Sequence, residues 1–301
     1  MTLRIVVTGK TGQVGKALCE RLKGDHEVIA LGREDLNLET WEITSSLIDA
    51  SAPHLIINAA AYTDVEKAED EEDIAYRINT ELPERLAEQA NKLNAGFIHF
   101  STDYVFDGTK PEPYTETDVP NPINAYGRSK LGAEQKIAAR CDAWIIARLS
   151  WVYAETGKNF LDTMISLFAK QQTLKVVADQ SGAPTPASVI ADVVARVIDQ
   201  APPGQLQSYL TEHSGILHIA CHGHTSWWEF AKKIADLSTT GGLPMITHQI
   251  EPISTEDYWG KAQRPKNSRL NISRLENTFG IKPPCWTKAL ESVMKRRIAL
   301  R

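Results

Sequence analysis

The chain has 301 residues, of which 42% are hydrophobic and 24% charged, as in an ordinary globular protein that can bury a sizeable core. The formal net charge of −5 gives no basic surface, which excludes nucleic acid as an expected partner. No apolar run approaches the roughly 20 residues that cross a bilayer, and no signal-peptide pattern is present, so we expect no membrane partner. The four cysteines form no CxxC pair, and we expect a reduced, cytoplasmic protein.

Short apolar runs alternate with polar, periodic stretches in the first half of the chain. Strands are predicted at residues 4–8, 27–31, 55–58, 96–101 and 144–149, and helices at 14–23, 75–94 and 125–140. This alternation indicates βαβ units, whose right-handed crossovers place helices on both faces of a parallel sheet. We therefore predict an α/β fold, a doubly wound, Rossmann-like parallel sheet, with residues 1–150 as a dinucleotide-binding domain.

The pattern becomes mixed after about residue 150. Helices are predicted at 161–170, 189–199 and 226–237, the last beginning with Ser226 and Glu229 as a capping box. We expect a smaller, discontinuous α/β substrate-binding region within residues 151–301. Roughly residues 175–200 are expected to return to the first domain.

A glycine triplet follows the first predicted strand and opens the first helix. Gly9, Gly12 and Gly15 have GxxGxxG spacing, which differs from GxGxxG and lacks the GK[ST] ending of a Walker loop. Glycines here allow a tight turn and a close approach to a pyrophosphate, which the helix N-terminus can bind. The alternative is a tight turn of purely structural use.

The second predicted strand is followed by Arg33, where many NAD enzymes have an acid that binds the adenosine ribose. An arginine can instead hold a 2′-phosphate through two parallel hydrogen bonds. This position favours NADPH as the cofactor, with NADH as the alternative. The other interpretation is a solvated surface arginine.

Tyr126 and Lys130 are separated by four residues, which places them one turn apart on one face of a helix. An ammonium beside a phenol favours the phenolate, so we predict a Tyr126 pKa lowered toward neutrality and a role as general acid toward a carbonyl oxygen. Thr102 ends a predicted strand, where open α/β sheets bind ligands, and could hold that oxygen. The alternatives are an exposed helix face and a turn-capping hydroxyl.

Several of these features together resemble the extended short-chain dehydrogenase/reductase superfamily. They are the glycine triplet, NAAAYT (58–63), STD (101–103) and the Tyr126/Lys130 pair. Within it, the chain is similar to the dTDP-4-dehydrorhamnose reductase family. That narrower resemblance rests on GKTGQVG (9–15), NAAAYTDVEKAE (58–69), STDYVFDG (101–108), YGRSKLGAE (126–134), RLSWVYAETGKNF (148–160), DQSGAPT (179–185) and RPKNSRLN (264–271).

The resemblance implies NAD(P)H-dependent reduction of the C4 ketone of a nucleotide-sugar, dTDP-4-dehydro-L-rhamnose, to dTDP-L-rhamnose. It implies that Tyr126 donates the proton, that Lys130 lowers its pKa, and that Thr102 holds the C4 oxygen. The implied cofactor-binding residues are Gly9, Thr11, Gly12, Gln13, Val14, Gly15, Arg33, Asn58, Ala59, Ala60, Ala61, Tyr62 and Lys130. The implied substrate-binding residues are Thr102, Asp103, Tyr104, Tyr126, Trp151, Arg264, Asn267 and Ser268.

Some members of the family form dimers around a magnesium ion held by glutamates. The matching positions here are Ala17 and Arg296, and neither offers the oxygen ligand that magnesium needs. We therefore predict no metal, and a monomer or a dimer built in another way.

Two other functions stay open. The first is another nucleotide-sugar epimerase or reductase of the superfamily, although a dehydratase would need a second acid where Tyr104 follows Asp103. The second is a non-catalytic regulatory subunit of methionine adenosyltransferase, since some relatives of the family that the chain resembles have that role.

Overall fold

The computed structural model describes residues 2–258 and 260–299. The strands of that part of the chain are β1 (Arg4–Thr8), β2 (Glu27–Leu31), β3 (Leu55–Asn58), β4 (Gly96–Thr102), β5 (Trp144–Leu149), β6 (Val152–Tyr153), β7 (Thr173–Val177), β8 (Ser181–Gly182), β9 (Thr185–Pro186), β10 (Gly215–Ile219), β11 (Thr225–Ser226) and β12 (Gln249–Ile253). The α-helices are α1 (Gln13–Leu22), α2 (Trp41–Ser51), α3 (Val65–Ala68), α4 (Glu72–Tyr76), α5 (Leu82–Lys92), α6 (Ala125–Arg140), α7 (Phe160–Phe168), α8 (Ala187–Ile198), α9 (Leu206–Glu212), α10 (Trp227–Thr240), α11 (Ser273–Phe279) and α12 (Trp286–Ala299). A π-helical turn spans Arg77–Glu81, and a 3₁₀ turn spans Asp103–Val105.

A six-stranded parallel sheet is the centre of the fold, in the order β10-β5-β4-β3-β1-β2. The strand order reverses at β1, which pairs with β2 on one side and with β3 on the other. Open α/β sheets bind ligands at the carboxyl ends of their strands beside such a reversal. The predicted Rossmann-like α/β fold is confirmed, and β4 extends one residue further than predicted, to Thr102.

The sheet is buried on both faces because its strands are nearly continuous apolar runs. Successive side chains point to opposite faces, so Ile5 and Val7 join one core with Leu18 of α1. Val6 faces the other core, where it meets Leu86 of α5 and further apolar side chains of α5 and α6. These two layers hold the strand ends, and therefore the candidate site, in fixed positions.

Segments from the second half of the chain return to this sheet. Helix α8 packs against α1 through the same apolar core. Strand β10 is the sixth strand and pairs with β5, which the sequence division at residue 150 did not anticipate. The division into two domains otherwise stays a prediction.

A third apolar core lies outside the sheet and joins α7, α10 and α12 around Leu161, Phe230 and Val293. The predicted capping box is present, with the Ser226 hydroxyl accepting from the Glu229 N–H and the Glu229 side chain returning to the Ser226 N–H. Among residues 2–258 and 260–299, the helices are too short or too polar to cross a bilayer.

Candidate active site

The glycine loop brings the end of β1 against the start of α1. Gly9 has φ of +72°, and a Cβ there would lie 2.6 Å from the Ala60 nitrogen. A Cβ on Gly15 would overlap the Gly9 carbonyl oxygen. Gly12 is the N-cap of α1 and has no side chain, so the positive end of this ten-residue helix has no side-chain cap. This arrangement fits a pyrophosphate, because the chain leaves space for backbone N–H groups to approach it.

A row of hydrogen-bonded, buried side chains crosses the strand ends beneath this loop. The Thr8 hydroxyl donates to Asn58 Oδ1 at 2.6 Å, and the Ala60 N–H donates to the same oxygen at 3.1 Å. Asn58 Nδ2 lies 3.0 Å from His99 Nδ1. His99 Nε2 lies 3.1 Å from Lys130 Nζ. The row connects β1, β3, β4 and α6.

Thr102 and Tyr126 come together at the carboxyl end of β4, and Lys130 lies one turn further along α6, bonded to His99 of that strand. Tyr126 lies in the first turn of α6, which Asn124 caps by accepting from the Gly127 N–H at 2.7 Å. Glycine is needed at residue 127 because a Cβ there would overlap the Tyr104 carbonyl oxygen. The helix start can therefore lie directly on the residues that follow β4, which brings the Tyr126 phenol next to the Thr102 hydroxyl.

The electrostatics of the phenol differ from the sequence prediction. Burial raises the pKa of Tyr126, and a hydrogen bond with Thr102 lowers it by less. Burial also lowers the pKa of Lys130 to about 7. The predicted lowering of the Tyr126 pKa is therefore wrong. Both Tyr126 and Lys130 are buried, so their charged forms are poorly solvated, and Lys130 Nζ is bonded to His99.

Asp103 is buried directly beside this group. Its carboxylate accepts from the Thr102 hydroxyl at 2.9 Å and from the Ser150 hydroxyl at 3.0 Å. Burial raises its pKa to about 6, although the hydroxyls around it, including that of Ser268, lower the pKa. The Thr102 hydroxyl is thus shared between an acid and the Tyr126 phenol.

The second region contributes an open cavity of about 650 Å³ beside the strand ends. Arg264 lines it, donates to Glu66 at 2.6 Å, and lies 5.2 Å from the centre of the Tyr258 ring. Trp227 also lines the cavity and stacks on Trp151 with ring centres 3.6 Å apart. The cavity therefore offers a guanidinium and aromatic faces to a ligand.

Trp151 has φ of +46°, a backbone conformation that a bulky residue rarely adopts. Such strain clusters at ligand sites. A Cβ on Gly182 would lie inside the Trp151 ring, so glycine there makes room for the stacked indole pair.

Two of the predicted substrate ligands are engaged with the chain itself. Asn267 donates to the carbonyls of Lys110 and Glu112 at 2.6 and 2.9 Å, and its oxygen accepts from Arg269. The Ser268 carbonyl accepts from Ser150 at 3.2 Å. Their contact with substrate stays a prediction.

The remaining predicted residues lie at the rims. Arg33 is exposed at the end of β2, and its side chain makes no hydrogen bond within the part of the chain that the structure describes. Arg296 is exposed on α12, where it pairs with Glu155 and donates to Ser188 Oγ at 3.2 Å. Ala17 of α1 and Arg296 line one cleft. Residues 2–258 and 260–299 contain no cluster of three acidic, histidine or cysteine side chains suited to a metal.

The chain was compared with known protein families, curated relatives and solved structures. Residues 3–298 match the family model described as RmlD substrate binding domain. The dTDP-4-dehydrorhamnose reductase of Burkholderia thailandensis is 40% identical over 290 residues, which are 96% of this chain and 97% of the relative. The chain belongs to the dTDP-4-dehydrorhamnose reductase family.

Solved structures from this family agree with the fold. The dTDP-4-dehydrorhamnose reductase of Clostridium acetobutylicum has a TM-score of 0.89 at 36% identity, covering 98% of this chain and 99% of that chain. The dTDP-4-dehydrorhamnose reductase of Bacillus anthracis, solved in complex with NADP, has a TM-score of 0.88 at 33% identity, with the same coverage. The predicted family resemblance is confirmed.

Several residues that build this reductase-family site were missed by sequence reasoning. The buried Asn79 in the π-helical turn accepts from the Tyr62 N–H at 2.8 Å and donates to the Tyr62 carbonyl at 2.9 Å, which fixes the NAAAYT segment. His99 and Asn124 were also missed. A π-turn is frequent at functional sites, but no sequence pattern marks one. His99 lies within a buried strand, and no local sequence pattern marks it as a partner of Lys130.

Asp103 predicts an unusual pH dependence of stability. Its folded pKa of about 6 exceeds the unfolded value of about 3.9, so the folded state binds the extra proton. The contribution of this proton to the free energy of unfolding is therefore complete below about pH 4 and is lost as the pH rises through about 6. The loss is worth about 3 kcal/mol in the free energy of unfolding. We expect the Asp103→Asn variant not to show it, so that the variant becomes more stable relative to the natural chain as the pH rises. Urea unfolding across this range measures it, and two parallel stability curves would contradict the assignment.

The close packing at Gly15 leads to a prediction about dinucleotide binding by the glycine loop. Gly15→Ala would force a methyl group into the Gly9 carbonyl oxygen, so α1 must move away from the turn. We expect dinucleotide affinity to fall by at least about tenfold, or 1.4 kcal/mol, while the sheet still folds. Calorimetric titration measures the affinity. Gly24→Ala is the control, since a Cβ on Gly24 would meet no atom within 4 Å; equal affinities in the two variants would refute the steric argument.

Proposed function

We propose that this protein reduces the C4 ketone of dTDP-4-dehydro-L-rhamnose to dTDP-L-rhamnose with NADPH. The observation that carries the proposal is the hydrogen bond between Thr102 and Tyr126 at the carboxyl end of β4, with Lys130 one turn further along α6. Membership of the reductase family supports the substrate assignment.

Tyr126 serves as the proton donor. Its raised pKa keeps the phenol protonated at neutral pH, as a general acid must be before it acts. Thr102 would hold the carbonyl oxygen next to the phenol by turning its hydroxyl hydrogen from Asp103 to that oxygen. Once the proton has left, a cationic Lys130 would stabilise the buried phenolate, because an opposite charge favours the ionised form.

The fit to a nicotinamide dinucleotide rests on the chain's own groups. The glycine loop and the uncapped start of α1 would hold the pyrophosphate, and the small side chains of Ala59, Ala60 and Ala61 would line the cofactor. When bound, the reduced cofactor supplies the hydride. The exposed Arg33 is positioned at the end of β2 to take a 2′-phosphate, and the Bacillus anthracis relative binds NADP. NADH remains the alternative.

The cavity of the second region would hold the nucleotide end of the substrate. A guanidinium matches the oxygens of a pyrophosphate, so Arg264 is suited to this group. Its Nε is buried without a partner among the described residues. Trp227, which lines the cavity and stacks on Trp151, offers an indole face on which a sugar or base ring can stack. Contact of Trp151 itself with the substrate stays a prediction.

The test of the function is loss of NADPH absorbance on adding dTDP-4-dehydro-L-rhamnose, made in place from dTDP-glucose by a dehydratase and an epimerase. We expect rapid oxidation, faster with NADPH than with NADH. No oxidation by protein that still binds the cofactor would refute the proposal and favour another nucleotide-sugar or the regulatory role. Cofactor that copurifies and is not consumed would indicate an epimerase.

We also propose a cytoplasmic protein whose assembly does not depend on magnesium. Ala17 has no ligand oxygen, and the cationic Arg296 repels a dication and is already paired with Glu155. We expect the molar mass, measured by light scattering after size exclusion, to be equal with magnesium and with a chelator. A dimer that forms only with magnesium would refute this.

A further inference from the structure

The buried row Thr8–Asn58–His99–Lys130 ends at a proposed catalytic lysine. The first three side chains are fully buried, and Lys130 is 2% exposed. The proposed role of Lys130 needs an ammonium, yet its partner is a histidine nitrogen rather than a carboxylate. The direction of each hydrogen bond in this row determines whether His99 favours the charged or the neutral form of Lys130.

The direction is set at the Asn58 end. The Ala60 backbone N–H can only donate, and it lies 3.1 Å from Asn58 Oδ1. The oxygen of the Asn58 amide must therefore face Ala60 and Thr8. The NH₂ group then points at His99 Nδ1, 3.0 Å away, and this ring nitrogen must be the acceptor.

A neutral imidazole carries one proton, so with Nδ1 as acceptor the proton lies on Nε2. Burial alone holds the pKa of His99 below its usual value, which keeps the ring neutral whether or not Lys130 is charged. His99 thus directs an N–H group at Lys130 Nζ. An ammonium has only donors, whereas a neutral amine has a lone pair that can accept.

We propose that His99 is a positioning residue for the reduction: its Nε2–H holds Lys130 as a neutral amine in the free protein, so that the charge of Lys130 changes within the working pH range. This inference rests on the proposed function for its effect on rate, but its structural part does not. Lys130 carries the charge that the proposed role needs only after its amine has bound a proton from the solvent, so the active fraction of the free protein falls as the pH rises.

The charged groups around Lys130 are consistent with this state. Glu134, one turn further along α6, raises the Lys130 pKa, but its carboxylate is already engaged by Arg148 and by the Ser101 hydroxyl. From β4 the titratable group that faces Lys130 is His99, and β3 contributes only the uncharged Asn58, which bonds to His99.

The other acids nearby act on the phenol rather than on the lysine. Asp103 and Tyr104 face Tyr126, one turn earlier on α6, and raise its pKa. Burial lowers the pKa of Lys130 to about 7, in agreement with a lysine that titrates near neutrality.

The first test is ¹⁵N NMR of the ring nitrogens in the full chain, which has eight histidines. His99 is assigned by the signals lost in His99→Asn. We expect a protonated Nε2 and an unprotonated Nδ1. A protonated Nδ1, or protons on both nitrogens, would overturn the proposal. This test needs no substrate, so it stands even if the protein reduces no ketone.

The second test is the pH profile of kcat/KM, which reports groups of the free enzyme. His99→Asn keeps an amide oxygen near Asn58 but removes the N–H that faces Lys130. Lys130 then becomes a cation more readily, and we expect the alkaline limb to move up by about one pH unit, a tenfold gain in rate beyond the limb.

The matched control is His218→Asn. His218 is equally buried, but its Nδ1 bonds to the Asn271 carbonyl, and its Nε2 has no partner among the described residues. An alkaline limb that stays in place in His99→Asn, or that moves equally in His218→Asn, would overturn the proposed effect on Lys130.

Discussion

Tyr126→Phe is expected to lower the rate of ketone reduction by about 10²–10⁴-fold while leaving NADPH affinity unchanged. The substitution removes one hydroxyl, the proposed proton source, and keeps the ring. The ring still packs edge-on against Tyr104, with centres 6.0 Å apart, so the start of α6 is expected to stay in place. Steady-state rates and calorimetric titration with NADPH measure the two quantities separately.

Tyr153→Phe is the matched control for this loss. Tyr153 is 1% exposed in the core around α7 and α10, and its hydroxyl has no partner among the described residues. Removing that hydroxyl should leave the rate unchanged. If Tyr126→Phe kept the rate of the natural chain, the proposed proton donor would be wrong. A natural chain that binds NADPH without turnover would point to the regulatory role instead.

The largest expected effect on stability lies under the active site, in the buried pair of Glu134 and Arg148. Arg148 donates to both carboxylate oxygens at 2.9 and 2.6 Å, and the Ser101 hydroxyl donates to the same carboxylate at 2.6 Å. Both charged side chains are no more than 5% exposed. We expect Glu134→Leu to lower the free energy of unfolding by about 3–5 kcal/mol, because an unpaired guanidinium remains buried.

The double variant Glu134→Leu/Arg148→Met separates the cost of the orphaned charge from the worth of the pair. Buried ion pairs can often be replaced by apolar side chains with little loss, so we expect the double variant to recover most of the stability. Arg148 Nη1 already has no partner among the described residues, although the guanidinium lies 4.9 Å from the Phe106 ring centre. The pair is therefore imperfect, and replacing both members removes this unsatisfied group as well.

An exposed ion pair provides the control for this experiment. Lys92 and Asp49 are 3.0 Å apart, with the lysine side chain 64% exposed, so Lys92→Ala should cost about 0–1 kcal/mol. Urea unfolding of the four proteins gives the values. A Glu134→Leu variant no less stable than Lys92→Ala, or a double variant worse than the single, would contradict the argument.

Local patterns in the sequence predicted several strands and one helix start. Strand β3 and strand β5 have their predicted bounds, because unbroken apolar runs can be buried only inside a covered sheet. The capping box at Ser226 was also predictable, since its hydrogen bonds join residues three positions apart.

The family-specific motifs gave the positions of Thr102, Tyr126 and Lys130, but not their electrostatics. The direction of a pKa shift depends on which groups bury the phenol and which groups reach it. Burial here comes from several elements, and Lys130 is held by His99, 31 residues away. A four-residue spacing on one helix carries no information about either.

The sequence alone determined the family, the parallel α/β sheet, the glycine loop and the identity of the candidate catalytic groups. The sheet and the glycine loop follow from side-chain periodicity and from contacts between near neighbours, whereas the family and the candidate catalytic groups come from the resemblance of the motifs to those of known reductases. Tertiary structure alone decided that β10 completes the sheet, that Asn58 and His99 fix the partner of Lys130, and that Asn267 binds its own chain. The physical reason is that hydrogen-bond direction and desolvation depend on residues that are distant in sequence and adjacent only after folding.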